Sequence, residues 1–356
     1  MRNGQNCGVP DPTLPAPRTP DPGDAPVLRW GVLGPGGIAG DFVDALRRHT
    51  GQRVVAVGSR TAERAAAFAA RHDVSRVHVG YESLVADPEV DVVYIATPHS
   101  EHARNALLAI AAGKHVLIEK PVAVTAALAR TIFDAAATAG VFAMEAMWTR
   151  FLPQTDVVAQ VLERGGLGPL SLATADFAGG GSTDAAGRLL DPAQGGGALL
   201  DLGVYVAWWS HFVLGTPDRV TARGLLGPTG VDEQATLVLE AGGAQGIATA
   251  GFRGRTAWRA TAVGAAARIE VAAPFWAASG LTLVGADGAV LDRWDDPFDR
   301  PYRQGLCYEA AAVARAVAEG RTEHPDHPSA RAIAVLETLD AARHELGYAD
   351  PPAWSA

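Results

Sequence analysis

The stretch "LGPGGIAGDF", residues 33–42, limits most narrowly what this chain can fold into. It leaves an apolar run, "LRWGVLG", and enters "IAGDFVDALRRHT", whose apolar residues recur at helical spacing, so a glycine turn joins a strand to a helix. In the pattern Gly34-x-Gly36-x-x-Ala39, Gly34 allows the tight turn and Gly36 lets backbone approach a pyrophosphate. Ala39 permits close packing of helix on strand, while Gly37 and Ile38 open the helix with free N–H groups that favour an anion. The chain carries 40 glycines, so the pattern alone is weak and its context decides.

That context is regular. From Val27 onward, β-branched runs ("RVVAVGS", "HVGY", "DVVYIATP", "HVLIEK", "VFAMEAMW") alternate with Ala-rich amphipathic ones ("TAERAAAFAARHD", "YESLVADPEV", "SEHARNALLAIAAG", "TAALARTIFDAAATAG"). Alternation of this kind predicts a Rossmann-type α/β domain, a doubly wound parallel sheet, over residues 27–149. Beyond it, "PLSLATADFAG", "RVTARGLL", "QATLVLEAG", "GIATAGFRG", "WRATAVGAAARIEVAA" and "GLTLVGADGAVLDRW" are strand-like runs separated by glycine turns. They predict an α+β domain over 150–356 with a large, mostly antiparallel open sheet, a helix from about Gly197 to Leu214 and two closing helices. An open sheet with helices on one face leaves an apolar face to bury, which predicts a homodimer or homotetramer. Residues 1–26 hold many prolines and few large apolar side chains, the composition of a flexible extension.

The net charge of -9 opposes non-specific binding to nucleic acid or anionic membrane. No run reads as a membrane span or a signal peptide, so the expected compartment is the cytoplasm. Cys7 and Cys307, the only cysteines, suit neither a disulfide framework nor a thiolate metal site.

The second strand ends "AVGSRTAER", without the carboxylate that usually accepts from an NAD ribose. Ser59 and Arg60 instead offer a hydroxyl and a planar cation to a 2′-phosphate, which points to NADP, with NAD as the second option. In "ATPHSEH", Pro98 draws Thr97 out of helical geometry and opens a loop at the carboxyl edge of the sheet, where ligands bind in such folds. His99 and His102 stand there beside the expected nicotinamide; with no third ligand at hand, a metal site is not expected. The next strand ends at Glu119, Lys120 and Pro121, and a fixed, cis-prone peptide before Pro121 aims Lys120 into the cleft. Downstream, "GGGALLDLGVYVAWW" places Asp201 and Tyr205 four apart on one helix face.

The fingerprint, "ATPHSEH", "EKP" and "GGGALLDLGVY", in this order, resemble the Gfo/Idh/MocA oxidoreductase family from about Val27 to about Leu346. The resemblance implies that Lys120 contacts the nicotinamide ribose and substrate, and that Asp201 and Tyr205 flank the reacting hydroxyl. Tyr205 stands where this family commonly has histidine, a departure shared with the NADP-preferring subgroup of dihydrodiol and D-xylose dehydrogenases. It also implies a cofactor contact for Arg150, at the junction after the last strand. Trp148 and Phe151, in "MWTRFLP", offer either a stacking face for substrate or interdomain packing. Arg188, ahead of the glycine run, reads as a surface-loop residue, with a substrate contact as the second option.

The reaction expected is hydride transfer between NADP and a hydroxyl-bearing carbon of a sugar or cyclic diol, with Tyr205 as acid or base. A free phenol titrates near 10, and the Lys120 cation is expected to lower that value. Asp201 orients either the substrate hydroxyl or Lys120. Rival readings are a non-catalytic NADP sensor of the same fold and a hydrolase that uses bound NAD transiently.

Overall fold

The structure, a computed structural model, describes residues 13–179, 187–298, 300 and 302–348. Strands β1 (Arg29–Leu33), β2 (Arg53–Ser59), β3 (Arg76–Val79), β4 (Val92–Ile95), β5 (His115–Glu119) and β6 (Ala143–Ala146) form a six-stranded parallel sheet in the order β3-β2-β1-β4-β5-β6. Helices α1 (Gly37–His49), α2 (Ala62–His72), α3 (Tyr81–Val85), α4 (His102–Ala111) and α5 (Ala126–Ala139) connect them. The order reverses between β1 and β4, and at such a switch point two loops part to leave a crevice at the carboxyl ends of the strands. Every residue of β4 is buried, as a strand covered on both faces requires. Under the glycine turn, Phe42 of α1 stacks on Tyr94 with ring centroids 3.9 Å apart and meets Trp30 edge-on at 5.3 Å.

Helix α3 is shorter than "YESLVADPEV" suggests. The Asp87 carboxylate accepts from the Glu89 N–H and from Arg76 and His78, and Pro88 has no N–H to continue the helix.

After helix α6 (Pro153–Glu163), which hydrophobic periodicity does not mark, strands β7 (Leu170–Ala178), β8 (Arg219–Leu226), β9 (Asp232–Ala241), β10 (Ala244–Gly251), β11 (Ala260–Gly264), β12 (Ala267–Val271), β13 (Leu281–Gly285) and β14 (Val290–Trp294) build the second sheet. Its order is β14-β13-β12-β11-β7-β10-β9-β8, antiparallel except where β7 pairs with β10. The two longest strand-like runs in the sequence each fold back on themselves, into the β11–β12 and β13–β14 hairpins. Helix α7 (Val204–Leu214), entered through a π-helical turn at Leu199–Gly203, packs against β7 and β10. The run Pro192–Leu214 is long and apolar enough to cross a bilayer, contrary to the sequence reading; it is mostly buried inside the protein as this core helix. Helices α8 (Leu306–Ala318) and α9 (Ser329–Glu345) return to the first sheet's layer: α8 packs on α1, and α9 on α5 and α7.

Residues 13–26, expected to be flexible, lie against the second unit. Polar anchors hold them where apolar burial is scarce. Arg18 pairs with Asp156 at 2.7 Å and with Glu163 at 3.0 Å, Leu14 N–H donates to Asp292, and Arg315 donates to the Asp21 carbonyl. Cys307 is buried and its thiol is pushed up to about 12 by burial, so it is inert. Cys7 and residues 1–12 lie outside the described residues.

Replacing Phe42 by Ala leaves a cavity beneath the glycine turn. The expected destabilisation is about 3–5 kcal/mol, read as a lower urea midpoint in circular dichroism.

Candidate functional site

A cleft of about 790 Å³ runs along the carboxyl ends of β1, β4 and β5 to the start of α7. At one end lies the glycine turn. Gly34 has φ +88°, and a Cβ there would lie 2.7 Å from the Ala96 carbonyl oxygen, so only glycine fits. At Gly36 and Gly37 a Cβ would meet nothing within 4 Å, so the space before the first N–H groups of α1 is open to a ligand. That is the cradle a pyrophosphate needs, and the residues present fit a dinucleotide. Ile38 also lines it, whereas Ala39 is wholly buried and serves packing, not contact.

Ser59 and Arg60 line the cleft at the end of β2, joined by Arg64 and Tyr81. Arg64 stands in the first turn of α2, four residues after Arg60, which directly follows β2. On the other side, Thr97, Pro98, His99 and His102 line the wall. Both His102 nitrogens face backbone carbonyls, Pro121 O at 2.9 Å and Thr97 O at 2.8 Å, so the buried ring donates to one of the two and turns neither nitrogen toward a cofactor or metal. Among the described residues no group of three metal-ligating side chains occurs. The His99 Nδ1 lies 2.9 Å from Gly195 O, and burial depresses the pKa of both rings well below the usual histidine value.

Lys120 follows β5, and its peptide bond to Pro121 is cis. Its ammonium donates to Asp201 O at 2.7 Å, lies 3.5 Å from Asp201 Oδ1 and 5.0 Å from the Tyr205 ring centroid. Glu119 lies behind, accepting from the Tyr94 hydroxyl and from the Lys120 N–H at 3.2 Å; burial raises its pKa. The π-turn is pinned from the second sheet, where Asp232 accepts from Leu199 N–H at 2.7 Å. A Cβ on Gly197, at φ +116°, would collide with that carboxylate at 2.5 Å. Asp201 and Tyr205 thus both reach the cleft. Burial works against the Asp201 charge, but the Lys120 ammonium and the Arg188 guanidinium outweigh it and hold the carboxyl below its usual range. Arg188, read as a surface residue, lines the cleft with its guanidinium 3.9 Å from Asp201 Oδ1.

The Tyr205 hydroxyl accepts from Trp148 Nε1 at 2.9 Å. Burial and the Glu119 charge push this phenol well above 10, and the Lys120 ammonium does not reverse it. The expected lowering is therefore absent, because the cation sits over the ring and not at the oxygen. Trp148, Phe177 and Trp276 wall this end, the last two stacked with centroids 3.4 Å apart. Phe177 and Trp276 come from the second sheet and its loops, far apart in sequence, with no local signal to mark them.

Two residues singled out from the sequence lie outside the cleft, Phe151 in the packing role that was one of its two options. Arg150 turns away from the cleft, donating to Asp326 O at 3.0 Å and Asp326 Oδ1 at 2.8 Å, with its guanidinium over Phe212. Phe151 follows it, packed edge-on to His324. Both lie on a 3₁₀ turn, Trp148–Phe151, which gives only Trp148 to the cleft. In exchange Tyr302 and Arg303 close the mouth from the segment before α8, with Arg303 paired to Asp41 of α1.

Comparison with known proteins identifies the family and the fold. The model of the oxidoreductase family with NAD-binding Rossmann fold matches residues 28–147, and that of the GFO/IDH/MocA C-terminal domain matches residues 156–270. A trans-1,2-dihydrobenzene-1,2-diol dehydrogenase of Sus scrofa is 35% identical over 331 residues, 91% of this chain and 98% of that protein. Among solved structures, a 3-ketoreductase from Actinomadura kijaniata in complex with NADP and TDP-benzene is 27% identical with a TM-score of 0.77, covering 90% of this chain and 98% of that one. A levoglucosan dehydrogenase complexed with NADH and levoglucosan shares the fold, with a TM-score of 0.80 at 22% identity over 92% of this chain and 100% of that one.

A side chain at Gly36 fills the cradle without clashing. Gly36→Val is expected to keep the melting temperature and to weaken dinucleotide binding at least about tenfold, the worth of one charge-assisted hydrogen bond. Calorimetric titration with scanning fluorimetry checks both.

Proposed function

The chain belongs to the Gfo/Idh/MocA oxidoreductase family, and on that premise we propose that it transfers hydride between NADP and a hydroxyl-bearing carbon of a sugar or cyclic diol. The observation that carries this reading is the continuity of one cleft from the Gly36 cradle to Lys120, Asp201 and Tyr205. The bound dinucleotide supplies the hydride donor or acceptor. The chain's own residues bind, orient and move the proton.

Gly34, Gly36, Gly37 and Ile38 hold the pyrophosphate, and Thr97, Pro98 and Glu119 shape the wall beside the nicotinamide ribose. Ser59, Arg60 and Arg64 supply a hydroxyl and two cations where NAD-selective sites place a carboxylate, which supports NADP. Tyr205 is the acid. Its oxygen already accepts from Trp148, so its own hydrogen is free to point at a substrate oxygen. Its raised pKa keeps it protonated at neutral pH, the state a general acid needs to reduce a carbonyl. In the oxidation direction Tyr205 must first lose that proton, so oxidation quickens as pH rises. Lys120, held by Asp201, places its ammonium where negative charge develops on the substrate oxygen. Trp148, Phe177 and Trp276 give an apolar surface for the carbon skeleton.

A second copy of the chain covers the outer face of the large sheet, where Thr236, Val238, Thr249 and Ile247 stand half-exposed or exposed across β9 and β10. Light scattering at micromolar concentration is expected to give a dimer or tetramer, and a monomer would refute this.

Incubating the protein with NADP or NAD and a panel of aldoses and cyclic diols tests the reaction; cofactor binding without turnover of any of them would overturn it. Tyr205→Phe is expected to lower kcat about 10²–10⁴-fold, the usual worth of a positioned acid or base, with NADP affinity unchanged and the rise of oxidation with pH abolished. Arg60→Ala is expected to weaken NADP about 10–100-fold while sparing NAD, because only the 2′-phosphate loses a charged partner. Equal losses for both cofactors would place Arg60 elsewhere.

A further inference from the structure

We infer that a second cavity, roofed by the 13–26 segment, binds a small organic monocarboxylate. It measures about 350 Å³, the lower end of the range for ligand pockets, and shares no lining residue with the cleft. Arg18, Thr19 and Pro20 cover it. On its α8 side stand Tyr308, Ala312 and Arg315, whose spacing of four and then three residues puts them on one helix face.

The charges around this space are already sorted. Arg18 pairs with Asp156 at 2.7 Å and Glu163 at 3.0 Å, and Arg150 pairs with Asp326 at 2.8 Å. All three carboxylates that line the cavity are therefore ion-paired. Arg315 is different. Its Nη2 donates to the Asp21 carbonyl at 2.6 Å, and no carboxylate pairs with it among the described residues. One guanidinium charge is left over, which matches one negative charge on a ligand.

Two further groups have a hydrogen to give. Tyr308 is buried, and its oxygen accepts from Arg300 Nη1 at 2.7 Å, so its own hydrogen is uncommitted. At His324 the Nδ1 atom accepts from the Asp326 N–H at 3.2 Å, so Nε2 carries a hydrogen whether the ring is neutral or charged. Neither hydrogen meets an acceptor among the described residues.

A guanidinium, a phenol and an imidazole N–H around one cavity call for a charged acceptor with more than one oxygen. A carboxylate supplies it. A phosphate dianion would bring a second charge up to Asp156, Glu163 and Asp326 with no further unpaired cation to meet it. Phe151, buried and edge-on to His324 at 5.0 Å, joins Ala312 and Pro20 in apolar surface for the carbon skeleton of the acid.

The test titrates benzoate, benzamide and inorganic phosphate into the full chain saturated with NADP, by calorimetry. Benzoate is expected to bind at one site, at least about tenfold more tightly than phosphate and than benzamide, which keeps its shape without its charge. Arg315→Met and Tyr308→Phe are each expected to weaken benzoate about tenfold, the worth of one hydrogen bond to a charged group, with NADP affinity unchanged. Arg315 also holds residue 21, so if Arg315→Met lowers the melting temperature, Tyr308→Phe decides alone. Benzamide or phosphate bound as tightly as benzoate overturns the inference. So does an unchanged benzoate affinity in Tyr308→Phe, which would place the acid elsewhere, as beside Lys120 in the cleft. No heat of binding up to about 10 mM benzoate, beyond the weakest affinity such a site would have, overturns it too.

Discussion

The ammonium of Lys120 and the first turn before α7 hold each other in place, and the site exists because they do. Lys120 ends a strand of the parallel sheet, whereas Asp201 opens a helix that packs on the antiparallel one. Their contact, 2.7 Å to the backbone carbonyl and 3.5 Å to the carboxylate, is the polar bridge between the two layers. A half-buried cation with one partner removed costs far more than an exposed pair ever gains, so the bridge constrains both loops at once. The π-turn matters here because its carbonyls are not all consumed by helical bonding, and Asp201 O is free to accept from the lysine.

Behind that bridge lie acids whose charge burial opposes. Glu119 and Glu309 are buried, both with pKa values raised by burial, and neither Glu309 oxygen has a hydrogen-bond partner among the described residues. Glu145 spans between Val122 N–H at 2.9 Å and His327 at 3.0 Å, which fastens the segment after Lys120 to the start of α9. The last two helices are therefore not an appendage of the second sheet. They back the nucleotide-binding layer and carry a wall of its interior, so a chain cut after β14 would expose the apolar side of α1.

How much of this could be read in advance follows from range. The Gly34 turn, Lys120 at a strand end, and Asp201 with Tyr205 on one face are local patterns, and the structure brings all of them into one cleft. Arg150 and the choice between the two options for Phe151 were not legible because a 3₁₀ turn rotates each successive residue by about a third of a circle, and hydrophobic periodicity does not show which one faces the cleft. Phe177, Trp276, Tyr302 and Arg303 were invisible because only the pairing of distant strands and the return of α8 bring them to the site. The 13–26 strap was misread for another reason: composition counts apolar area, but three backbone or guanidinium contacts to Asp156, Glu163 and Asp292 do the holding.

The phenol of Tyr205 draws these strands together. Histidine at this place would lose its charge to burial, as His99 and His102 do, and become a poor proton donor at neutral pH. Burial acts on tyrosine in the opposite sense. It disfavours the phenolate and so preserves the neutral, proton-bearing form. Under the proposed reaction the apolar wall of Trp148, Phe177 and Trp276 performs two tasks with one property: it seats a carbon ring and keeps the proposed acid protonated. On the same proposal, a substrate seated on this surface meets the polar groups Tyr205 Oη, Lys120 Nζ and Asp201, and their number and spacing decide which alcohol reacts.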